Sequence, residues 1–169
     1  MPAVDAEADR EAGTPDAVWL PAPVLGALVE EAGRAAPEEA CGLLVGSRAA
    51  GGFRITRRVA CDNMAPSAMR LRRFEIDPRR VIEEERALRG SAEGVIGFYH
   101  SHPEGLPIPS GVDRDYMALW PDAVWVIVGA VGGKPGVRAW RNDEGGPGGV
   151  RELEVARHSE KTPESEATG

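Results

Sequence analysis

Apolar residues along the chain follow two rhythms, one near 3.6 residues and one near 2, and the switches between them outline the elements. From Pro21 to Ala35, Val24, Leu25, Leu28 and Val29 recur at helical spacing and Pro37 closes the segment, which predicts an amphipathic helix. Cys41-Gly42-Leu43-Leu44-Val45-Gly46 is a short apolar run ending in glycine. Phe53 to Ala60 alternates well enough to pair with it across the Gly51-Gly52 turn, so the two make a hairpin. Residues 61 to 73 have turn composition, with Asn63, Pro66 and Ser67, and Phe74-Glu75-Ile76 reads as a brief strand. A second helix follows: Asp77 caps it, Pro78 takes its first position, Val81, Ile82 and Leu88 share a side, and Gly90 stops it.

The central strand is Val95-Ile96-Gly97-Phe98-Tyr99-His100, which leads into a loop containing Pro103, Pro107 and Pro109. Ser110 then opens a helix ending near Trp120-Pro121. Ala123 to Ala130 is nearly all apolar, as a strand covered on both faces should be. Val137 to Arg141 and Val150 to Val155 read as antiparallel edge additions. Trp120, Trp125 and Trp140 are expected in core and edge packing. Helices and strands alternate around a mixed sheet, so the class is α/β or α+β with three layers and no internal repeat. Residues 1–16 and 157–169 carry no periodicity and are expected to be disordered tails, leaving one domain over 17–156 of a chain of 169 residues.

Composition narrows the function classes. A hydrophobic fraction of 42% and a charged fraction of 28% suit a globular protein, and no apolar run is long enough to span a bilayer. The N-terminus lacks the basic and apolar regions of a secretory signal, so no membrane association and a cytoplasmic location are expected. Cys41 and Cys61 are too few for a disulfide scaffold and are read as thiols, with Cys41 a small buried residue rather than a nucleophile. The net charge of -7 belongs to the tails: residues 1–16 hold five acids and one arginine (-4), and residues 152–169 hold five acids against Arg157 and Lys161 (-3). The middle is neutral, and nucleic acid is not indicated as a partner. Residues 48–80 nevertheless carry nine arginines against Asp62, Glu75 and Asp77, either a docking face for a partner protein or simply a solvated surface.

The candidate chemistry lies at the end of the central strand. His100 and His102 are two apart, so both imidazoles project to one side and can reach one ion. A catalytic zinc site wants three ligands from His, Asp or Glu and an open fourth position. Asp113, in the first turn of the helix that Ser110 opens, is the best third ligand. Ser110-Gly111-Val112-Asp113 is equally a capping box, but the neighbouring His-x-His tips the reading toward a ligand, with Ser110 able to cap the helix and present its hydroxyl to the site. Hydrolysis also needs a base for the attacking water. Glu39, just before the strand at Cys41, is a candidate, and spacing alone leaves it level with Glu38 and Glu104.

Glu39-Ala40-Cys41-Gly42-Leu43-Leu44-Val45-Gly46, then His100-Ser101-His102, the segment Pro103 to Pro109, Ser110, two residues and Asp113, resemble the signature of the JAMM (MPN-plus) zinc metallopeptidases of the Mov34/MPN group. The likeness runs from about residue 17 to about residue 141, and no catalytic position departs from the pattern. The resemblance implies a cytidine-deaminase-like three-layer sandwich, helices about a mixed curved β-sheet. It implies Zn2+ held by His100, His102 and Asp113, Glu39 as the base and Ser110 as an oxyanion donor. It further implies cleavage after the C-terminal Gly-Gly of a ubiquitin-like or sulfur-carrier protein. Short bacterial-type members, many with a Pro-x-Glu-x-Cys-Gly start like Pro37 to Gly42, act on sulfur carriers, and one such activity frees cysteine from the carrier's tail. The alternative within the family is a non-catalytic MPN scaffold, against which the full ligand set argues. A zinc deaminase would need a His-x-Glu and a Pro-Cys-x-x-Cys, and neither occurs. Oligomeric state stays open, a homodimer included.

Overall fold

The computed structural model of the chain describes residues 17–157, so apart from Arg157 both expected tails lie outside the described residues. Seven strands form its sheet: β1 (Ala17–Trp19), β2 (Cys41–Ala49), β3 (Gly52–Cys61), β4 (Gly94–Ser101), β5 (Val124–Val131), β6 (Lys134–Asn142) and β7 (Val150–Ala156). The α-helices are α1 (Ala22–Ala35), α2 (Pro78–Ala87) and α3 (Gly111–Leu119). The strands run in the order β1-β3-β2-β4-β5-β6-β7 and close into a barrel.

Closure overturns the expected three-layer sandwich of helices about a mixed curved sheet. Its agent is β1, three residues long, which pairs in parallel with β3 at Ala17↔Gly52 and with β7 at Ala17↔Glu154. A three-residue strand is too short to display alternation, so nothing in the local pattern announces it. Once it is in place β7, expected at an edge, has a neighbour on each side. The second correction is Phe74-Glu75-Ile76, which forms no strand. Its backbone is committed elsewhere: the Glu75 N–H donates to Asn63 Oδ1 at 3.2 Å, and the Glu75 carbonyl accepts from Met64 N–H at 2.8 Å.

The hairpin expected at residues 41–60 is present, with Ala49↔Gly52 its last pair and Gly51 at φ 82°, a left-handed conformation that glycine adopts without strain. Irregularities at Leu44–Gly46, where the register of β2 shifts against both neighbours, bend this long strand and let the sheet curve shut. Alternation along β5 feeds two cores. Val124, Val126 and Val128 join Leu28 of α1, Leu44 and Ile55, whereas Trp125 and Ile127 join Phe74, Phe98 and Met117 of α3.

A half-buried polar network ties α1 to the barrel. The Tyr99 hydroxyl donates to the Glu31 carboxylate at 2.9 Å, and Arg58 pairs with the same carboxylate. Burial and the adjacent Glu31 push the Tyr99 phenol far up its scale, so it stays a donor. Tyr99→Phe is expected to cost about 2 kcal/mol, the usual range for a lost hydrogen bond to a charged group, read as a lower denaturant midpoint at unchanged slope.

Candidate active site

β4 and β5 run parallel, so the chain must leave the sheet after His102 and return through a crossover, which is the proline-bearing loop followed by α3. Three consecutive loop carbonyls are anchored. Gly105 O accepts from Ala130 N–H at 2.8 Å, Leu106 O meets His102 Nδ1 at 2.8 Å, and Pro107 O accepts from the Trp140 indole N–H at 2.9 Å. The loop lies directly on Gly129, where a Cβ would sit 2.6 Å from both Gly105 O and Pro107 N. Held this way, the crossover folds the first turn of α3 back over the end of β4.

Three polar atoms meet there. His100 Nε2 and His102 Nε2 are 3.1 Å apart, His102 Nε2 and Asp113 Oδ2 3.1 Å, and His100 Nε2 and Asp113 Oδ2 3.2 Å. The cap and the cluster turn out to be one device rather than rivals. Ser110 Oγ accepts from Asp113 N–H at 3.1 Å, and Asp113 Oδ2 accepts from Ser110 N–H at 2.8 Å, so the capping box itself aims the carboxylate at the imidazoles. Because the Ser110 hydroxyl accepts in the cap, its own hydrogen is left to donate, and the residue is exposed.

The donor set suits a zinc ion. Ligands about 2.0–2.1 Å from a tetrahedral centre lie about 3.3–3.4 Å from one another, close to the triangle observed. The Leu106 carbonyl can only accept, so His102 carries its proton on Nδ1 and turns the lone pair of Nε2 into the cluster, the usual outer support of a metal-bound imidazole. His100 is fully buried, and its ring stacks on Phe74 at 4.5 Å between centroids. Burial pushes the His100 ring toward its neutral form, the form that coordinates metal. Burial alone would raise the Asp113 carboxyl, but hydrogen bonding to both histidines and to the Ser110 amide holds it well below the usual carboxylate range.

Among the three acids left level by spacing, burial singles out Glu39, which is 5% exposed; Glu38 is half-buried and Glu104 exposed. Burial pushes the Glu39 carboxyl up to about 7, with His102 pulling it down and Asp113 pushing it up, so it feels the cluster electrostatically. Its Oε2 is buried without a hydrogen-bond partner. Its backbone is held on both sides: Glu39 N–H donates to Arg70 O at 2.8 Å, and Glu39 O accepts from Asn63 Nδ2 at 3.2 Å. The Cys41 thiol is buried and pushed by that burial up to about 12, which leaves it no nucleophile.

A profile of prokaryotic homologs of the JAB domain matches residues 21–143. The chain belongs to that family, the prokaryotic branch of the JAMM/MPN group. A desampylase of Haloferax volcanii is 34% identical over 120 residues, covering 71% of this chain and 78% of its own. A probable TtuB-protein conjugate cleaving protease of Thermus thermophilus is 32% identical over 112 residues (66% and 67%), and a CysO-cysteine peptidase of Mycobacterium tuberculosis 32% over 116 residues (69% and 75%). A solution structure of a protein from Desulfitobacterium hafniense superposes with a TM-score of 0.71 at 27% identity, covering 85% of this chain and 94% of that one. The matched span agrees with the resemblance read from sequence.

Beside the cluster, this JAB domain carries an apolar cavity of about 560 Å³ between α2 and α3, lined in part by Phe74, Val81, Phe98, Tyr116, Trp120 and Trp125. Phe74 belongs to both, stacking on His100 while lining the cavity. Trp125 and Trp140 are buried as expected, but Trp120 is 47% exposed at the cavity mouth, with Ile82 and Leu119 also exposed. The arginine-rich stretch is different in space from its count in sequence. Arg57 pairs with Glu84, Arg58 with Glu31, Arg79 with Asp77, Arg80 with Glu83 and Arg73 with Glu75, while Arg70 Nε donates to Ala65 O. Three of those acids lie outside residues 48–80. Among the described residues, no helix is long and apolar enough to cross a membrane.

Proposed function

We propose that this protein is a zinc-dependent peptidase or isopeptidase that hydrolyses the bond following the C-terminal Gly-Gly of a ubiquitin-like or sulfur-carrier protein. The observation that carries the chemistry is the convergence of His100, His102 and Asp113, together with the buried Glu39, whose Oε2 has no hydrogen-bond partner and whose carboxyl feels His102 and Asp113. The substrate class is supported by relatives named as a desampylase, a conjugate-cleaving protease and a CysO-cysteine peptidase. A binding scaffold of this family would have no use for a Glu39 held in place so near such a donor set.

His100, His102 and Asp113 would hold the zinc. When bound, zinc supplies the Lewis acid that polarises the scissile carbonyl and acidifies water. Glu39 takes the proton from the attacking water at its carboxylate and passes it to the departing nitrogen. A carboxyl poised near neutrality suits both halves of that task. Ser110, its lone pair engaged by the helix cap, donates its hydroxyl hydrogen to the carbonyl oxygen as charge develops there. The apolar cavity shares Phe74 with the site and receives apolar side chains of the carrier protein, an arrangement that places exposed apolar surface where a partner must approach.

The reading is tested with a carrier ending in Gly-Gly fused to a peptide, joined to a lysine side chain, or carrying a C-terminal cysteine, each followed by mass spectrometry. Zinc-loaded protein should release at least one extension at the Gly-Gly boundary and metal-stripped protein none. Three intact substrates in the presence of loaded enzyme would refute it. With a cleaved substrate in hand, Trp120→Ala is expected to raise KM roughly tenfold at unchanged kcat, because it removes binding surface and no reacting group.

A further inference from the structure

Nothing in the roles assigned so far explains how Glu39 keeps its place relative to the histidines. Glu39 precedes β2, and the ladder between β2 and β4 ends at the pair Cys41↔His100. Past that pair the two chains stay joined by an unusual exchange. Ser101 N–H donates to Ala40 O at 3.0 Å, as a strand would, but the return bond from Ala40 N–H goes at 2.8 Å to the Ser101 side-chain hydroxyl. Ala40 and Ser101 are both buried, so this amide has no water to fall back on. On the other side stands Asn63, whose amide makes four hydrogen bonds: Nδ2 to Glu39 O at 3.2 Å and to Arg73 O at 3.0 Å, and Oδ1 from Ala65 N–H at 3.1 Å and Glu75 N–H at 3.2 Å. Arg73 and Glu75 flank Phe74, on which the His100 ring stacks.

We infer that Ser101 and Asn63 are positioning residues that hold Glu39 in register with the metal-ligand histidines, Ser101 from the strand that bears them and Asn63 from the loop that supports His100. This rests on the reading of Glu39 as the base. Neither side chain is placed to touch substrate. Both grip the one peptide that joins Glu39 to Ala40, Asn63 at its carbonyl and Ser101 at its N–H, so their loss would let the carboxylate shift by up to about 1 Å. Misplacement on that scale costs up to about 100-fold in rate without loss of binding.

Ser101→Ala, Ser101→Thr, Asn63→Asp and Glu39→Gln are compared with wild type for kcat, KM, zinc content and exchange of the Ala40 amide in the metal-stripped proteins. Asn63→Asp keeps both accepted bonds and cancels the two donated ones, so it cuts the tie to Glu39 with little change of shape. Ser101→Ala and Asn63→Asp are expected to lower kcat roughly 10- to 100-fold with KM within twofold and zinc content unchanged. Ser101→Thr, which retains the hydroxyl, should recover most of the loss, and Ala40 should exchange faster in Ser101→Ala alone of the Ser101 pair. Wild-type kcat in both Ser101→Ala and Asn63→Asp beside an inactive Glu39→Gln would overturn the inference and leave the base standing. An active Glu39→Gln would overturn both. Loss of zinc in step with loss of rate would also overturn it, since the two residues would then be serving the metal ligands. If Ser101→Ala does not fold, Asn63→Asp decides the matter.

Discussion

Glu39→Gln is expected to lower cleavage of a Gly-Gly-linked carrier by about 10²- to 10⁴-fold, the range for removing a positioned proton-transfer group. The substitution is close to isosteric, and the Glu39 backbone contacts to Arg70 and Asn63 do not involve the side chain, so the fold has little reason to respond. Zinc content should stay at that of wild type, because His100, His102 and Asp113 are untouched. The side chain occupies a position that is awkward for any purely structural role: it is almost fully buried, and Oε2 meets no donor. A protein selected only for stability gains nothing from such a group, whereas a proton acceptor with a carboxyl near 7 gains its chemistry from that same burial. Single-turnover cleavage by the variant within threefold of wild type would remove Glu39 from the mechanism.

Removing a ligand should be as severe for rate and should differ in zinc. His102→Ala leaves two donors and an empty position at the more accessible corner, and zinc affinity is expected to fall by more than about 100-fold, the upper range seen when only outer supports are lost. Zinc binds the folded state, so it raises the melting midpoint of wild type in proportion to RT ln(1 + [L]/Kd). That rise should vanish in His102→Ala while the metal-free midpoints stay close. His100→Ala would blur this comparison, because His100 is fully buried against Phe74 and its loss also opens a cavity. Retention of a full zinc-dependent shift in His102→Ala would show that the cluster is not the metal site.

Much of this site could be read before any coordinates. A His-x-His at a strand end and a Ser-x-x-Asp at a helix start are local patterns, and local patterns survive in sequence because backbone periodicity dictates which side chains share a face. Asp113 shows the limit of that reading: in sequence, cap and ligand compete for the same residue, and only the shared use of Oδ2 by Ser110 N–H and both imidazoles reveals that one serves the other. Asn63 gave a fainter signal, an asparagine in a loop without periodicity, and nothing local tells that its amide spans Glu39, Ala65, Arg73 and Glu75. Trp140 reads from sequence as packing, yet its indole N–H also fixes a loop carbonyl 33 positions away. Half of the local excess of arginine is offset for a similar reason, since Glu31, Glu83 and Glu84, all outside the segment, pair with three of its nine arginines.

By itself, then, the sequence determined the elements of 3.6 and 2 periodicity, the helix cap at Ser110, and a candidate metal-ligand set whose members lie within one strand, one loop and one helical turn. Tertiary structure alone decided the closure of the sheet, the choice of Glu39 over its two rivals on physical grounds, and the ties that hold Glu39 in place. Closure depends on three residues, Ala17 to Trp19, bonding to partners at positions 52–54 and 154–156. The choice of Glu39 depends on burial created by chain segments that meet only after folding. Contacts between distant segments cost loop entropy that is recovered only when many form together, so no short stretch of sequence carries their mark.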